Sequence, residues 1–352
     1  MVKCKLEYPL TAFAARAGGK HSEPVTSPVS GVLTVAAQPD VVQRLAEEAE
    51  PWLRLVEFEA GQQPPADSAV DLWVPEYPAS RGAKAWSAGL AALPGLRVVQ
   101  LLSAGVDPWP ALIADRASGD QVDGDRAGGD GPILCNGRGV HGASTAELAV
   151  ATTLAMVREL PRYIRLQQER VWRSSTARSV SGARVLVLGA GDIGQRVATV
   201  LRDLDARVTL VARTARDGVE PMERLPELLP RQQIVVIAVP STPETERMVG
   251  REFLAALPDG ALVVNVARGK VVDTDAMLAE LRAERLYAAL DVVDPEPLPA
   301  EHPLWSAANL LITPHVGGGA QGWLERGCAL VLDQAGRLRN GAELRNLVVH
   351  GY

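Results

Sequence analysis

The sequence predicts an α/β protein built from two doubly wound, parallel-sheet domains. Its 352 residues exceed the length at which a single hydrophobic core stops growing, so two domains are expected. Short apolar runs with the composition of buried strands alternate with segments long enough to be crossover helices. A glycine-rich turn also joins one of these runs to a helical pattern, as in nucleotide-binding α/β domains.

Composition and charge exclude several classes of protein. A formal net charge of -6 argues against a nucleic-acid binder, because a phosphate backbone selects basic surfaces. Cys4, Cys135 and Cys328 are widely spaced and odd in number, which fits neither a disulfide framework nor a metal site. No apolar run approaches the ~20 residues of a membrane span, and Glu7 and Arg16 interrupt the N-terminal stretch that faintly resembles a signal peptide. We therefore expect a cytoplasmic protein with no metal, nucleic-acid or membrane partner.

The first part of the chain predicts a small α/β domain. Residues 1–29 show no sustained periodicity and are expected to form an extension outside the core. Five short apolar runs follow, namely GVLTVAA, LRLVEFE, VDLWVPE, LRVVQLL and PILCNG. The Asp- and Gly-rich segment 118–131 does not match the spacing of an EF-hand, so a solvated surface loop is expected there rather than a calcium site.

The second part predicts a sheet of six buried strands. The stretch TAELAVATTLAMVREL, residues 145–160, predicts a long helix just after the domain crossing, and RYIRLQQERVWR extends the helical segment. Near-continuous Val, Leu and Ile runs then indicate strands covered on both faces, namely RVLVLG, RVTLVA, IVVIAV, ALVVNVA, YAALDVV and NLLIT. The closing stretch GWLERGCALVLDQAGRL predicts a final helix.

The first of these six strands leads into a GxGxxG turn formed by Gly189, Gly191 and Gly194. The first glycine permits the tight turn, the second lets a pyrophosphate approach the backbone, and the third lets helix and strand pack closely. The N-terminus of the helix then offers N–H groups to the phosphates. Asp192 and Ile193, within the turn, are assigned to the same cofactor site.

The second strand ends at a cation where a dinucleotide-binding chain normally has an acid. That position falls on Ala212 or Arg213. A carboxylate would repel a 2′-phosphate, whereas a guanidinium pairs with it bidentately, and Thr214 adds a hydroxyl with Arg216 as a further helper. NADP(H) is therefore favoured over NAD(H). The competing explanation is that these are solvated loop residues.

Three side chains follow three later strands. Arg268 comes after ALVVNVA, Glu296 shortly after YAALDVV and His315 after NLLITP, with Asp294 competing with Glu296. Ligands in open α/β sheets bind beyond the carboxyl ends of the strands, which lie only ~4.8 Å apart when adjacent. Sequence does not prove adjacency, although consecutive strands are more often neighbours than not.

This set of residue types suits the reduction of an α-keto acid. Arg268 can bind the carboxylate and polarise the neighbouring carbonyl, while His315 supplies a proton as hydride arrives from a nicotinamide. A hydrogen bond from the imidazole to Glu296 would favour the imidazolium and fix its tautomer. Oxidation would require the same histidine to be neutral, so pH should shift the balance between the two directions.

The other four histidines are weaker candidates. His21 and His350 lie near the termini, His302 precedes a proline in a loop, and His141 lies near the domain crossing. Only His315 follows a core strand directly.

These motifs resemble those of the D-isomer-specific 2-hydroxyacid dehydrogenases over about residues 31–349. The shared motifs occur in order: GAGDIGQRVA, VPSTPETERMV, LPDGALVVNVARGKVVDTDAML, AALDVVDPEPLP and HPLWSAANLLITPH. The resemblance implies that Arg268, Glu296 and His315 form the catalytic set, which selects Glu296 over Asp294. It also implies that Asp291 contacts the nicotinamide amide.

Further contacts follow from the same resemblance. In LLSAGVD, the backbone N–H groups of Ala104 and Gly105 are expected to bind the substrate carboxylate, although the residues alone would favour an ordinary turn. Within the quoted motifs we also assign Pro240, Thr245 and Ala267 to cofactor contact.

The resemblance completes the expected architecture. It implies a flavodoxin-like substrate domain, residues 30–141 plus 318–352, and a six-stranded Rossmann cofactor domain, residues 142–317. A cleft that closes on binding would separate them. A homodimer through the cofactor domains is also implied, with residues 145–160 in the interface.

Within the family, SAGVD and the basic strand end look most like NADPH-dependent glyoxylate and hydroxypyruvate reductases. Val293 and the run TPHVGGGAQGW depart from the family pattern and leave the substrate side-chain pocket open. Phosphite-oxidising relatives share the same Arg, Glu and His, and a nucleotide-sensing corepressor is the alternative from another functional class.

Overall fold

The computed structural model describes residues 28–62, 69–77, 82–119 and 131–348. Within these residues the chain forms two parallel sheets, one of five strands and one of seven. The predicted α/β fold with two parallel sheets is therefore confirmed. Residues 1–27 of the predicted extension and residues 120–130 of the predicted surface loop lie outside the described part.

The first sheet has the strand order β2-β1-β3-β4-β5, which is the flavodoxin-like order. Its strands are β1 (Leu33–Ala37), β2 (Leu53–Glu57), β3 (Leu72–Trp73), β4 (Val98–Gln100) and β5 (Ile133–Cys135). Three helices connect them: α1 (Pro39–Ala46), α2 (Gly82–Ala91) and α3 (Trp109–Gly119). Each strand falls within one of the five apolar runs of the sequence.

The second sheet has the order β12-β11-β10-β9-β6-β7-β8. Its strands are β6 (Arg184–Leu188), β7 (Arg207–Ala212), β8 (Val219–Pro221), β9 (Ile234–Ile237), β10 (Leu262–Asn265), β11 (Tyr287–Leu290) and β12 (Leu310–Ile312). All six predicted strands are present. The predicted number of six strands is wrong, because the sheet has a seventh strand, β8. This three-residue edge strand ends in proline and lacks the apolar run that identified the other strands.

The helical segment predicted to continue from residue 145 is divided in two. Helix α4 (Gly142–Val157) ends before Glu159, which adopts a left-handed conformation with φ of 57°. Helix α5 (Leu160–Gln168) then has Pro161 in its first turn, and the proline ring has no N–H to continue the preceding hydrogen-bond ladder. The remaining helices are α6 (Asp192–Asp203), α7 (Leu225–Leu228), α8 (Arg251–Ala255), α9 (Thr274–Arg282) and α10 (Trp323–Asn340).

Each sheet is buried on both faces. In β9, Val235 and Ile237 pack into one apolar cluster while Ile234 and Val236 pack into another. Helix α10 carries the end of the chain back to the first sheet, where Val331 and neighbouring side chains pack into its core. No helix of the described ranges has the length and apolarity needed to cross a membrane.

Candidate active site

The three strands that precede the predicted catalytic residues are neighbours. Strand β10 pairs with β11 in parallel, and β11 pairs with β12. The expected adjacency is therefore confirmed. Arg268, Glu296 and His315 leave the sheet at the same carboxyl edge, where ligands of open α/β sheets bind.

His315 and Glu296 are hydrogen-bonded. The Nδ1 atom of His315 lies 2.5 Å from Oε1 of Glu296, and the two side chains are 44% and 41% exposed. A carboxylate accepts this bond, so Nδ1 carries a proton and Nε2 is the nitrogen that can exchange one with a ligand. The arrangement is that of an imidazole oriented by an acid and accessible from solvent.

The backbone at His315 is held in an unusual conformation by Asp291. His315 has φ of 53°, in the left-handed region that non-glycine residues seldom adopt. Its N–H donates to the Asp291 carbonyl at 2.7 Å. The Asp291 carboxylate accepts from Thr313 Oγ1 at 2.6 Å and from the amides of Val316 and Gly317 at 2.9 Å each. Asp291 is thus committed to the turn that carries His315, and its predicted contact with a nicotinamide remains a prediction.

Arg268 lies against the turn predicted to bind the substrate carboxylate. A Cβ on Gly105 would stand 1.5 Å from Nη2 of Arg268, so the guanidinium occupies the space that a side chain would need. Nη1 donates to the carbonyl of Ala267 at 2.8 Å. Ser103 Oγ donates to the Gly105 carbonyl at 2.7 Å and fixes the turn that includes Ala104. Residues from the two sheets therefore meet here.

The glycine turn has the shape that a dinucleotide requires. Gly189 has φ of 109°, and a Cβ there would meet the Ala238 carbonyl oxygen at 2.4 Å. A Cβ on Gly194 would stand 1.8 Å from the Gly189 carbonyl oxygen, so close packing of strand and helix requires glycine. Nothing lies within 4 Å of a Cβ on Gly191, which leaves open space at the N-terminus of α6. These residues fit a bound pyrophosphate.

The end of β7 exposes the predicted 2′-phosphate ligands. Arg213, Thr214 and Arg216 are all exposed in the turn after the strand. Arg216 Nη2 donates to the Ala190 carbonyl at 2.6 Å, so this side chain lies over the glycine turn. Hydrogen bonding from Thr242 lowers the pKa of Glu244, and the charge of Arg213 adds to the effect, which places a carboxylate near that guanidinium.

The other predicted cofactor residues serve local structure. Thr245 is buried, and its hydroxyl donates to the Pro240 carbonyl at 2.7 Å while accepting from the Thr242 amide. Asp192 begins α6 and pairs with Arg196 at 2.9 Å, and Ile193 packs against the apolar core. These contacts shape the cofactor side of the site.

Sequence reasoning did not single out an aromatic cluster beside this site. The ring centroids of Tyr77 and His141 are 4.6 Å apart, and those of Tyr77 and Trp323 are 5.1 Å apart. A Cβ on Gly318 would lie 3.0 Å from the Tyr77 hydroxyl. The glycine run after His315 was the signal available in the sequence, because a run of glycines often marks a close approach of other groups.

Comparison with known proteins places these features in context. The family model described as "D-isomer specific 2-hydroxyacid dehydrogenase, NAD binding domain" matches residues 150–317. A glyoxylate reductase of Pyrococcus horikoshii is 31% identical over 240 residues, which cover 64% of this chain and 72% of that protein. A D-3-phosphoglycerate dehydrogenase of Mycobacterium bovis is 33% identical over 237 residues, 65% of this chain but only 42% of that longer protein.

A solved structure extends the likeness to almost the whole chain. The D-isomer specific 2-hydroxyacid dehydrogenase of Xanthobacter autotrophicus, in complex with NADPH and MES, superposes with a TM-score of 0.75 at 30% identity. The match covers 92% of this chain and 100% of that one.

The glycine turn offers a test that separates folding from cofactor binding. Gly194→Ala should destabilise the fold by about 1–3 kcal/mol, because the new methyl group overlaps the Gly189 carbonyl. Gly191→Ala should leave the melting temperature unchanged but weaken NADPH binding, because its methyl group enters the open space at α6. Thermal unfolding and fluorescence titration with NADPH measure the two effects. A Gly191→Ala protein that binds NADPH normally would contradict this placement of the pyrophosphate.

Proposed function

Because the chain belongs to the D-isomer-specific 2-hydroxyacid dehydrogenases, we propose that it reduces a small 2-keto acid of the glyoxylate or hydroxypyruvate type to the D-2-hydroxy acid. The family makes it an oxidoreductase that uses a nicotinamide cofactor. The observation that carries the finer proposal is that Arg268, packed against the Gly105 turn, and the hydrogen-bonded Glu296–His315 pair follow strands that end at the same edge of one sheet.

Each of these groups has a role in the proposed reaction. A bound nicotinamide cofactor supplies the hydride that reaches the keto carbon. Arg268 binds the substrate carboxylate and polarises the adjacent carbonyl, with the backbone amides of Ala104 and Gly105 on the same carboxylate. His315 delivers a proton from Nε2 to the carbonyl oxygen, so that hydride and proton together give the alcohol. Glu296 accepts a hydrogen bond from Nδ1, which fixes the tautomer and the orientation of the imidazole.

The exposed end of β7 supports NADPH as the preferred cofactor, with NADH as the alternative. Arg213 and Thr214 follow the strand at the position that contacts the adenosine ribose, and Arg216 covers the glycine turn. A 2′-phosphate can pair with these guanidinium groups, whereas they offer no acceptor for the ribose hydroxyls of NADH. The similar Xanthobacter enzyme holds NADPH.

The similar proteins also support a small substrate. The relative from Pyrococcus horikoshii is a glyoxylate reductase, and the compared proteins favour neither a corepressor nor a phosphite enzyme. Tyr77 and His141 fill the space beside Gly318, close to the proposed proton donor, which supports a substrate with a small side chain.

Exposed apolar side chains on and after α5 support a homodimer. Leu160 and Ile164 lie one turn apart on that helix and are 48% and 56% exposed, while Trp172 just beyond it is fully exposed. Apolar exposure of this kind marks an interaction surface. Most of α4, the helix assigned to the interface from the sequence, is buried within the chain against α6 and the second sheet. We therefore place the contact at α5 and the segment after it.

Removal of the proposed catalytic groups should abolish most of the activity. With glyoxylate, hydroxypyruvate, pyruvate and phenylpyruvate as substrates for NADPH oxidation, His315→Ala should lower kcat by about 10²–10⁴-fold, the range for loss of a general acid. Arg268→Ala should lower kcat/KM by at least about tenfold through loss of the charged hydrogen bonds to the carboxylate.

Two matched variants control for nonspecific effects. His302→Ala removes a histidine whose Nδ1 caps the Leu304 amide, and Arg251→Ala removes an exposed arginine at the start of α8, so both should retain activity. If the unmodified protein reduces no 2-keto acid, the proposed function is wrong. If it does and the two alanine variants at Arg268 and His315 keep full rates, the roles of those residues are wrong.

Cofactor choice is tested at the two ends of β7. Arg213→Asp should raise the KM for NADPH by about 10–100-fold, since charge-assisted hydrogen bonds to the phosphate are lost, and should change that for NADH far less. Arg207→Asp makes the same charge change at the opposite end of the strand and should affect neither cofactor. Steady-state kinetics with both cofactors measure the difference. Equal effects of Arg213→Asp on NADPH and NADH would show that Arg213 is a solvated surface residue with no role in the choice of cofactor.

If the protein is a dimer, charged substitutions in the proposed interface should lower the mass of the particle in solution. The unmodified protein should sediment as a dimer, and Ile164→Glu combined with Trp172→Glu should shift it toward the monomer, because charges would enter an apolar contact. Val32→Glu changes an apolar residue that is 57% exposed directly before β1 of the first sheet, and it should leave the dimer intact. Sedimentation velocity distinguishes these outcomes. An unmodified protein that sediments as a monomer would refute the proposal.

A further inference from the structure

His141 lies where the chain first crosses from the first sheet to the second, directly before α4. Its side chain is buried, and Nδ1 lies 3.0 Å from the carbonyl oxygen of Gly318, on the segment that crosses back. A carbonyl only accepts hydrogen bonds, so the proton is on Nδ1. Nε2 has no hydrogen-bond partner among the described residues. The bond from Nδ1 therefore joins the two crossings directly.

The imidazole is also held by its neighbours. Tyr77, which follows β3, lies with its ring centroid 4.6 Å away, and Trp323, at the start of α10, lies 6.1 Å away. A Cβ on Gly318 would be only 3.2 Å from Nδ1, so the backbone of the return crossing packs directly on the ring. Arg326 Nε donates to the carbonyl of Val140 and ties α10 to the same crossing.

Both sides of His141 lead to the proposed active site. Gly318 is three residues after His315, and the intervening turn is bound to Asp291 through the amides of Val316 and Gly317. On the other side, the amide of Gly137, four residues before His141, donates to the carbonyl of Ser103 at 2.6 Å. Ser103 belongs to the turn that continues to Gly105, the predicted carboxylate-binding turn.

We infer that His141 is a positioning residue for the keto-acid reduction. Its Nδ1–H bond holds the turn that carries His315 at a fixed distance from the turn that binds the substrate carboxylate. The inference rests on the proposed function. Proton transfer to a bound carbonyl depends strongly on this distance, since a misplacement of about 1 Å can cost about 10²-fold in rate.

Two substitutions separate the hydrogen bond from the packing. His141→Phe keeps a ring between Tyr77 and Trp323 but removes the donor, whereas His141→Asn keeps an amide donor near the position of Nδ1 and removes the ring. His141→Phe should lower kcat by about tenfold to a hundredfold with the dissociation constant for NADPH unchanged. His141→Asn should recover most of kcat even though its melting temperature falls more.

This opposite order of activity and stability would not arise from a purely structural role. If His141→Phe keeps the unmodified kcat, or if kcat simply follows the melting temperature in both variants, the positioning role is wrong. Amide hydrogen exchange at residues 316–319 tests the tie without any substrate. Exchange should be faster in His141→Phe than in His141→Asn. Equal exchange rates would refute the role of the His141–Gly318 hydrogen bond, even if the protein reduced no keto acid.

The pH dependence of unfolding gives a second readout that is independent of turnover. Burial lowers the pKa of His141, partly offset by the Gly318 backbone, so the folded state resists protonating this group. The unmodified protein should therefore lose stability relative to His141→Phe as pH falls below about 6.5, where the unfolded imidazole takes up a proton. Tyr77 and Arg326 face the ring, and Asp192 packs on Gly142 beside it; all three are present in both proteins. Parallel stability curves would contradict the neutral, buried state of His141.

Discussion

The proposed active site depends on three parallel strands ending side by side. Asn265, Leu290 and Ile312, the last residues of β10, β11 and β12, are aligned across the sheet. Because side chains alternate between the two faces of a strand, a slip of one residue in this register would move each side chain from the apolar cluster on one face to the different cluster on the other. The buried pattern on both faces therefore fixes the register, and the register fixes where the three following turns begin.

Buried polar side chains then shape two of these turns. Asn265 is fully buried, accepts from the Ala267 amide at 3.0 Å and donates to the Arg268 carbonyl at 3.0 Å. Asp291, which is 5% exposed, likewise accepts a backbone hydrogen bond from the turn after β12. A left-handed non-glycine residue such as His315 costs about 1–3 kcal/mol and persists only where its surroundings determine it. The hydrogen bonds to Asp291 hold His315 in this conformation.

The sequence predicted those features that depend on local pattern. Continuous apolar runs identified every strand of the second sheet except β8. The rule that consecutive strands tend to be neighbours anticipated that Arg268 and His315 follow strands ending at the same edge of the sheet. The break at Glu159 was missed because the apolar pattern continues through it. The role of His141 was not visible because its partners lie far away along the chain, Gly318 being 177 residues distant.

The glycine run after His315 shows how a departure from a family pattern can be compensated elsewhere. A Cβ on Gly317 would meet Asp291 Oδ2 at 2.9 Å, and one on Gly318 would meet the Tyr77 hydroxyl at 3.0 Å. Side chains are excluded from these positions because groups from other segments already occupy the space. The wall beside the turn after His315 is therefore built partly from Tyr77, which follows β3 of the first sheet and packs in turn against Trp323 on α10. It follows that the room available to a substrate side chain depends on how the first sheet and α10 sit against the turn after β12, and not on that turn alone.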